Sequence, residues 1–133
     1  MADIPEFMLL ADDIRRGAGD IREKQALLLE VLAGALPGNL AEVKRQPTIR
    51  QRLSGQRGRA TEVRLTLGSF QYILTADTSG LAPTRLHISG GIVIGSEVLN
   101  LGYWIEAVMA GLRGLAETSQ SAQLAVNNLL GLP

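Results

Sequence analysis

The chain has 133 residues, of which 46% are hydrophobic, and this fits one domain with a sizeable core. Its 13 basic and 13 acidic residues cancel, so net charge excludes a strongly polyanion-binding or membrane-surface protein. The absence of cysteine excludes disulfide frameworks, thiol nucleophiles and cysteine metal sites, and it favours a cytoplasmic location. The longest apolar runs are short of the roughly 18–20 residues that a membrane span requires, so we expect no span.

The N-terminal part of the chain has a helical pattern over residues 6–36, where apolar residues recur every seven positions. Gly17 and Gly19 interrupt this pattern. Each glycine costs about 1 kcal/mol relative to alanine in a helix interior. The sequence therefore predicts a helical arm over residues 1–37, either kinked at the glycines or divided into two helices.

The next segment, residues 38–60, is rich in glycine, glutamine and arginine and has few apolar anchors. This composition predicts a basic flexible linker. A short helical turn over residues 40–46 is compatible with the sequence.

Basic residues are concentrated in residues 44–64, which hold seven bases and one acid, a net charge of +6. Arginine-rich segments bind phosphate backbones or acidic protein surfaces, or they remain solvated linkers. No aromatic residue lies between positions 8 and 69, so this segment cannot stack on bases. The basic-patch candidates are Lys44, Arg45, Arg50, Arg52, Arg57, Arg59 and Arg64.

A β-region follows, in which apolar and polar residues alternate on both sides of Gly68-Ser69. This pattern predicts a hairpin with a tight turn at these two residues. A third strand is predicted from Arg85 to about Val98. Its predicted apolar face holds Leu86, Ile88, Ile92 and Ile94, and its opposite face holds His87, Ser89, Gly91, Val93, Gly95 and Glu97.

The glycines of this third strand lack the lysine and the spacing of phosphate-binding loops. Glycine within a strand often marks a site where another backbone approaches closely. Gly91, Val93 and Gly95 are therefore predicted to form a nearly smooth face that a helix or a second copy of the sheet covers.

The C-terminal part of the chain carries a continuous 4-3 spacing from Leu101 to Leu129 that is apolar except at Ser119, with Asn100 as a candidate N-cap. It predicts one long amphipathic helix of about 45 Å, which overhangs a small sheet of about 15–20 Å. The overhang would pack on the N-terminal helix or on another subunit. The interface candidates on this helix are Leu101, Ile105, Val108, Leu112, Leu115, Val126, Leu129 and Leu130.

These elements predict an α+β fold with an N-terminal helix arm, a three-stranded antiparallel sheet and a long C-terminal amphipathic helix. The sheet would consist of the hairpin and the third strand. The predicted domain organisation is an arm over residues 1–37, a linker over 38–60 and a β-β-β-α core domain over 61–133.

Catalytic chemistry has one weak candidate site, because His87 is the only histidine. Ser89 lies two residues on, and Asp77 or Glu97 would be the orienting acid. Neither the order nor the spacing of a catalytic triad is present. One histidine with scattered acids also lacks metal-ligand spacing. The sequence predicts no catalytic, metal or cofactor site, although an enzyme centred on His87 remains a third hypothesis.

The function that the sequence favours is a non-enzymatic interaction module, a small cytosolic subunit that self-associates or docks in a larger complex through its helices. The alternative is a nucleic-acid-binding accessory protein that acts through residues 44–64. The expected partner is a second copy of the chain or another protein.

Overall fold

The computed structural model describes residues 6–17, 19–46, 53–55, 58–77 and 80–131. Within them, five strands form one antiparallel sheet in the order β1-β2-β3-β4-β5, and four helices accompany it. The α+β class is confirmed, but the predicted three-stranded sheet is wrong. The elements are α1 (Glu6–Arg16), α2 (Ile21–Ala35), β1 (Ala41–Gln46), β2 (Arg59–Leu67), β3 (Phe70–Asp77), β4 (Gly80–Ser89), β5 (Ile92–Val98), α3 (Leu101–Ala116) and α4 (Gln120–Leu130).

The N-terminal helical pattern is divided into two helices, one of the two predicted outcomes. Gly17 and Gly19 have φ values of 68° and 75°, which glycine adopts without steric cost. Asp20 caps α2 by accepting a hydrogen bond from the backbone N–H of Glu23. The Lys24 ammonium lies 2.9 Å from Asp13 Oδ2 and joins the two helices. Its hydrogen bond holds the pKa of Asp13 below the usual value.

The first strand lies where the sequence was compatible with a helical turn, and that prediction is wrong. Residues 41–46 pair with β2, with a bulge between Lys44 and Arg45. Arg45 also donates hydrogen bonds to Glu30 of α2 and to the carbonyl oxygen of Gly58. These long-range contacts outweigh a weak local helix preference. The division of the chain at residues 38 and 61 stays a prediction.

The predicted third strand is two strands, β4 and β5, so this prediction is also wrong. Gly90 and Gly91 form the two-residue turn between them, with φ values of 59° and 79°. A tight turn with positive φ at both central residues matches the right-handed twist of antiparallel strands, and glycine is favoured there. The β2–β3 hairpin, which turns at Gly68-Ser69, is confirmed.

The predicted single C-terminal helix is two helices, so the predicted overhang is absent. Asn100 caps α3, as predicted, by accepting a hydrogen bond from the Tyr103 N–H. Helix α3 ends at Ala116, and the Ser119 hydroxyl caps α4 by accepting from the Ala122 N–H at 3.2 Å. Helix α4 folds back along α2, where Asn128 Nδ2 donates to the carbonyl oxygen of Ala35 at 3.0 Å. The apolar residues that would have needed another subunit are thereby covered within this chain.

The helices form one layer on one face of the sheet, hereafter the helix-covered face, and a single core cluster lies between them. Trp104 of α3 is fully buried there and packs edge-to-face on Tyr72, with ring centroids 6.3 Å apart. Its Nε1 donates a hydrogen bond to the carbonyl oxygen of Thr84 at 3.1 Å. Trp104 therefore ties β4 to the helical layer.

The other face of the sheet, hereafter the open face, follows from the strand register and the alternation of side chains. Across the sheet from β1 to β5, this face carries ion-paired residues on β1 and β2 and apolar residues on β4 and β5. Ile73 lies between the two halves and is buried, although it is not part of the main core cluster. The open face is thus polar towards β1 and apolar towards β5.

Candidate functional site

The predicted helical interface residues lie in the protein's own interior. Most of them are buried, and Leu115 and Leu130 are partly buried. Their side chains pack on the sheet and on the neighbouring helices, so this conformation does not offer them to a partner. The buried members are Leu101, Ile105, Val108, Leu112, Val126 and Leu129.

The predicted glycine face is divided by the hairpin. Gly91 lies in the turn, Val93 pairs with Ile88 on the open face, and Gly95 pairs with His87 on the helix-covered face. A bulge between His87 and Ile88 shifts the register at this point. The three residues therefore share no continuous smooth surface, although all three are exposed.

Strand β5 is the most exposed regular element with large apolar side chains, and every one of its residues is exposed. The strand lies at an edge of the sheet, so one row of its backbone N–H and C=O groups has no neighbouring strand among the described residues. Residues 92–96 carry no ionisable side chain. The exposed apolar residues, with their exposed fractions, are Ile92 (68%), Val93 (52%), Ile94 (59%) and Val98 (80%).

The apolar surface continues from β5 onto β4. On the open face, Leu86 and Ile88 of β4 lie beside Ser96 and Val93 of β5, and Val98 lies opposite Thr84. Leu86 and Ile88 are only half-buried. We call β5 together with Leu86 and Ile88 the β5 edge surface. Contiguous exposed apolar patches on proteins often mark interaction sites.

The one ionisable residue of β5, Glu97, is bound within the chain. Its carboxylate accepts hydrogen bonds from Arg85 of β4, whose guanidinium lies 4.7 Å from the Phe70 ring centroid. The Glu97 carboxylate raises the pKa of Arg85 above its usual value, and tyrosine hydroxyls add to the effect. The charge of β5 is therefore compensated on the helix-covered face, and the open edge of the strand presents no charge of its own.

Of the candidate catalytic residues, His87 and Glu97 line one cavity of about 350 Å³, where the Glu97 carboxylate is bound by Arg85. His87 stacks on Phe70 at a centroid distance of 4.9 Å, on the same face as Ser89. Asp77 pairs with Gly80 in the backbone register. Gly80 lies seven residues before His87 on β4, which corresponds to about 23 Å along the strand. The Asp77 side chain lies outside the part of the chain that the structure describes. Within that part, no group of three His, Asp or Glu side chains could hold a metal ion.

Three of the four basic candidates that the structure describes are engaged in ion pairs. Lys44 lies 3.3 Å from Glu62, Arg45 lies 3.1 Å from Glu30, and Arg64 lies 3.7 Å from Glu62. Arg64 Nε is buried without a hydrogen-bond partner among the described atoms, whereas its Nη1 donates to Gln71. Arg59 is exposed at the start of β2. The remaining candidates, Arg50, Arg52 and Arg57, lie outside the described residues.

The sequence reading named Val93 but missed the edge position of the whole strand. The available signal was Gly90-Gly91, because a pair of glycines between two alternating apolar runs is typical of a two-residue hairpin turn. A turn there makes β5 a separate strand at the edge of the sheet instead of the second half of one long strand.

Comparisons of this chain with protein-family models, curated proteins and solved structures gave no match. Among the described helices, none has the length and apolar character needed to cross a bilayer.

Proposed function

We propose that the protein is a non-enzymatic assembly module that self-associates through the β5 edge surface. The observation that carries the proposal is the complete exposure of β5, with four large apolar side chains 52–80% exposed. Natural edge strands are usually protected by charges, proline, bulges or a covering element. Strand β5 has a bulge at Ile94, but its outer edge combines apolar side chains with backbone groups that no described strand pairs.

A second copy of the chain fits this surface in charge. The formal net charge of the protein is zero, so two copies have no long-range repulsion. The surface itself holds one ionised group, Glu97, which Arg85 neutralises within the chain. An identical surface is therefore electrostatically acceptable to it, whereas a charged partner would find no complementary charge.

Two-fold antiparallel pairing of β5 with its copy joins two edges that have no neighbouring strand among the described residues. The product is a continuous ten-stranded sheet, which lies within the usual size range.

The mode of association differs from the one that the sequence predicted. The sequence favoured the helices, but their apolar residues are buried within the chain. A cytoplasmic location remains part of the proposal, because the chain has no cysteine. The nucleic-acid alternative gains no support, since Lys44, Arg45 and Arg64 already pair with acids.

Solution mass tests the proposal. Sedimentation equilibrium over micromolar concentrations should show wild-type protein at twice the chain mass of 14.2 kDa. Val93→Lys should sediment as a monomer, because a lysine on an edge strand opposes strand addition. Leu124→Lys is the matched control, since Leu124 on α4 is also 52% exposed, and it should remain dimeric. A monomeric wild type, or a dimer that Val93→Lys leaves intact, would contradict the proposal.

A further inference from the structure

The cavity of about 350 Å³ beside His87 lies over the β3–β5 part of the helix-covered face, where the helical layer ends. Helix α3 reaches β4 through Trp104, but His87 and Gly95, which lie on the same face farther along the strands, are exposed. Pockets that bind small molecules start at about 300 Å³, so this cavity is large enough for a small ligand. Its lining residues are Phe70, Arg85, His87, Gly95, Ser96 and Glu97.

Two aromatic rings form a wall of the cavity. Phe70, His87 and Gly95 are direct neighbours across β3, β4 and β5. The Phe70 and His87 rings are stacked, with centroids 4.9 Å apart and planes 28° from parallel. Neighbouring strands are about 4.7–4.9 Å apart, so the two rings stand side by side in a row across the sheet. Gly95 is the next position in this row and contributes no ring of its own.

The glycine at position 95 is required neither by the backbone nor by packing. Its φ is not positive, and a Cβ at this position would meet only the His87 Cβ, at an ordinary 4.0 Å. Glycine weakens a strand, because it has no side chain to pack against its neighbours. Its consequence here is an open space beside the His87 ring, as wide as one strand.

The carboxylate at the cavity is only partly used within the chain. Arg85 Nε donates to Glu97 Oε1 at 2.6 Å, and Arg85 Nη2 contacts the same oxygen. Among the described residues, Glu97 Oε2 and the ring nitrogens of His87 have no hydrogen-bond partner. The cavity therefore offers a hydrogen-bond acceptor in a fixed position, whereas its one guanidinium is already bound.

We infer that the cavity binds a planar, uncharged heteroaromatic ring with an amino group, which stacks on His87 above Gly95 and donates a hydrogen bond to Glu97 Oε2. An oxyanion would face this carboxylate oxygen, because Arg85 is bound to Glu97. A simple cation would find little net charge, since Arg85 compensates Glu97. A hydrocarbon ring would deprive the Glu97 carboxylate of water without replacing its hydrogen bond.

An NMR titration of the isotope-labelled full chain tests this inference with two pairs of probes, adenine with purine and 2-aminopyrimidine with pyrimidine. The compounds of each pair differ only in the amino group. At least one amino compound should bind and shift the amide signals of Gly95 and Glu97. Its parent ring should bind at least about tenfold more weakly, as expected for the loss of a hydrogen bond to a charged acceptor.

Variants of the lining test the position of the ring. Gly95→Val fills the open place in the row. Valine is favoured in strands and its Cβ has room, so the variant should fold and bind the amino compound at least about tenfold more weakly. Gly114→Ala also adds a side chain to an exposed glycine, but in α3 and outside the lining, and it should bind as the wild type does. Glu97→Gln should reduce the preference for the amino compound over its parent, because a neutral acceptor replaces a charged one.

The inference is overturned if neither amino compound binds, or if the parent rings bind as tightly as the amino compounds. It is also overturned if Gly95→Val binds as the wild type does, if Gly114→Ala weakens binding as much as Gly95→Val, or if Glu97→Gln leaves the preference unchanged.

Val93→Lys separates this inference from the self-association proposal, because Val93 lies on the open face and outside the lining. This variant should bind the amino compound with wild-type affinity, and a loss of binding would overturn the inference. A monomeric wild type that binds the amino compound would contradict only the self-association proposal.

Discussion

The two edges of the sheet differ in how they meet solvent. Strand β1, with the sequence AEVKRQ, alternates apolar and charged residues, and its Lys44 and Arg45 pair with acids on β2 and α2. Strand β5, with the sequence IVIGSEV, is exposed throughout and holds one charged residue. Both strands have an unpaired outer row of backbone groups.

Charge predicts a difference between these edges in association. A second strand that approaches β1 must desolvate Glu42 and desolvate or break the ion pairs of Lys44 and Arg45. A second strand that approaches β5 displaces water from apolar side chains, which contributes roughly 25 cal/mol per Å² of buried apolar area. We therefore expect the charges to protect β1 and the apolar side chains to favour association at β5.

The largest expected difference in stability is between the buried Trp104, which contacts β4, and the exposed Val98 of β5. Trp104→Ala removes a fully buried side chain and its hydrogen bond to Thr84, so the free energy of unfolding should fall by about 3–5 kcal/mol. Val98→Ala, at an 80% exposed position, should change it by less than about 0.5 kcal/mol. Urea denaturation of both variants measures the difference. Equal losses would show that β5 is packed as firmly as the core.

Substitutions in the turn between β4 and β5 should have a smaller effect on the free energy of unfolding. Gly90 has φ of 59°, so Gly90→Val should cost about 1–2 kcal/mol of unfolding free energy. Gly90→Asn is the matched variant, because Asn-Gly is a favoured pair in this turn, and it should cost under about 0.5 kcal/mol. Thermal denaturation compares the two. A Gly90→Val protein as stable as Gly90→Asn would contradict the positive-φ turn.

The smallest effect on stability concerns the protected edge. Lys44 is 66% exposed in its ion pair with Glu62, so Lys44→Val should change the free energy of unfolding by less than about 1 kcal/mol. Association should respond more strongly, because the variant makes β1 resemble β5. Sedimentation velocity should detect species larger than the dimer, in which both edges pair. If the variant remains a dimer at every concentration, the charge on Lys44 is not what protects β1.

The sequence predicted the elements whose local signals agree with their tertiary contacts. The Gly68-Ser69 hairpin, the Asn100 cap and the break near Gly17 are of this kind. The first strand was missed because its charged residues give little hydrophobic alternation. Its stability comes from the ladder with β2 and the Arg45–Glu30 pair, which no local pattern shows.

Two further errors arose because periodic patterns continued through a turn. Apolar residues at alternate positions continue from Ile88 to Ile92 across Gly90-Gly91, as they would in one strand, although the two-residue turn pairs Ser89 with Ile92 and so places Ile88 and Ile92 on opposite faces. Ser119 falls on the heptad seam and also caps α4, so the 4-3 spacing runs through the end of α3. Of the candidate site, the sequence located Val93 on a strand face but assigned it to one long strand over residues 85–98, and it did not reveal the hairpin that makes β5 a separate strand.

Amide hydrogen exchange at two protein concentrations tests the central claim most directly, because it follows both edges in one sample. If β5 pairs with its copy, the amides of residues 92–98 should exchange more slowly at high concentration and faster on dilution, with half-protection near the dissociation constant from sedimentation. The amides of residues 41–46 should exchange at the same rate at both concentrations. Exchange of residues 92–98 that does not change with concentration would contradict self-association through the β5 edge surface.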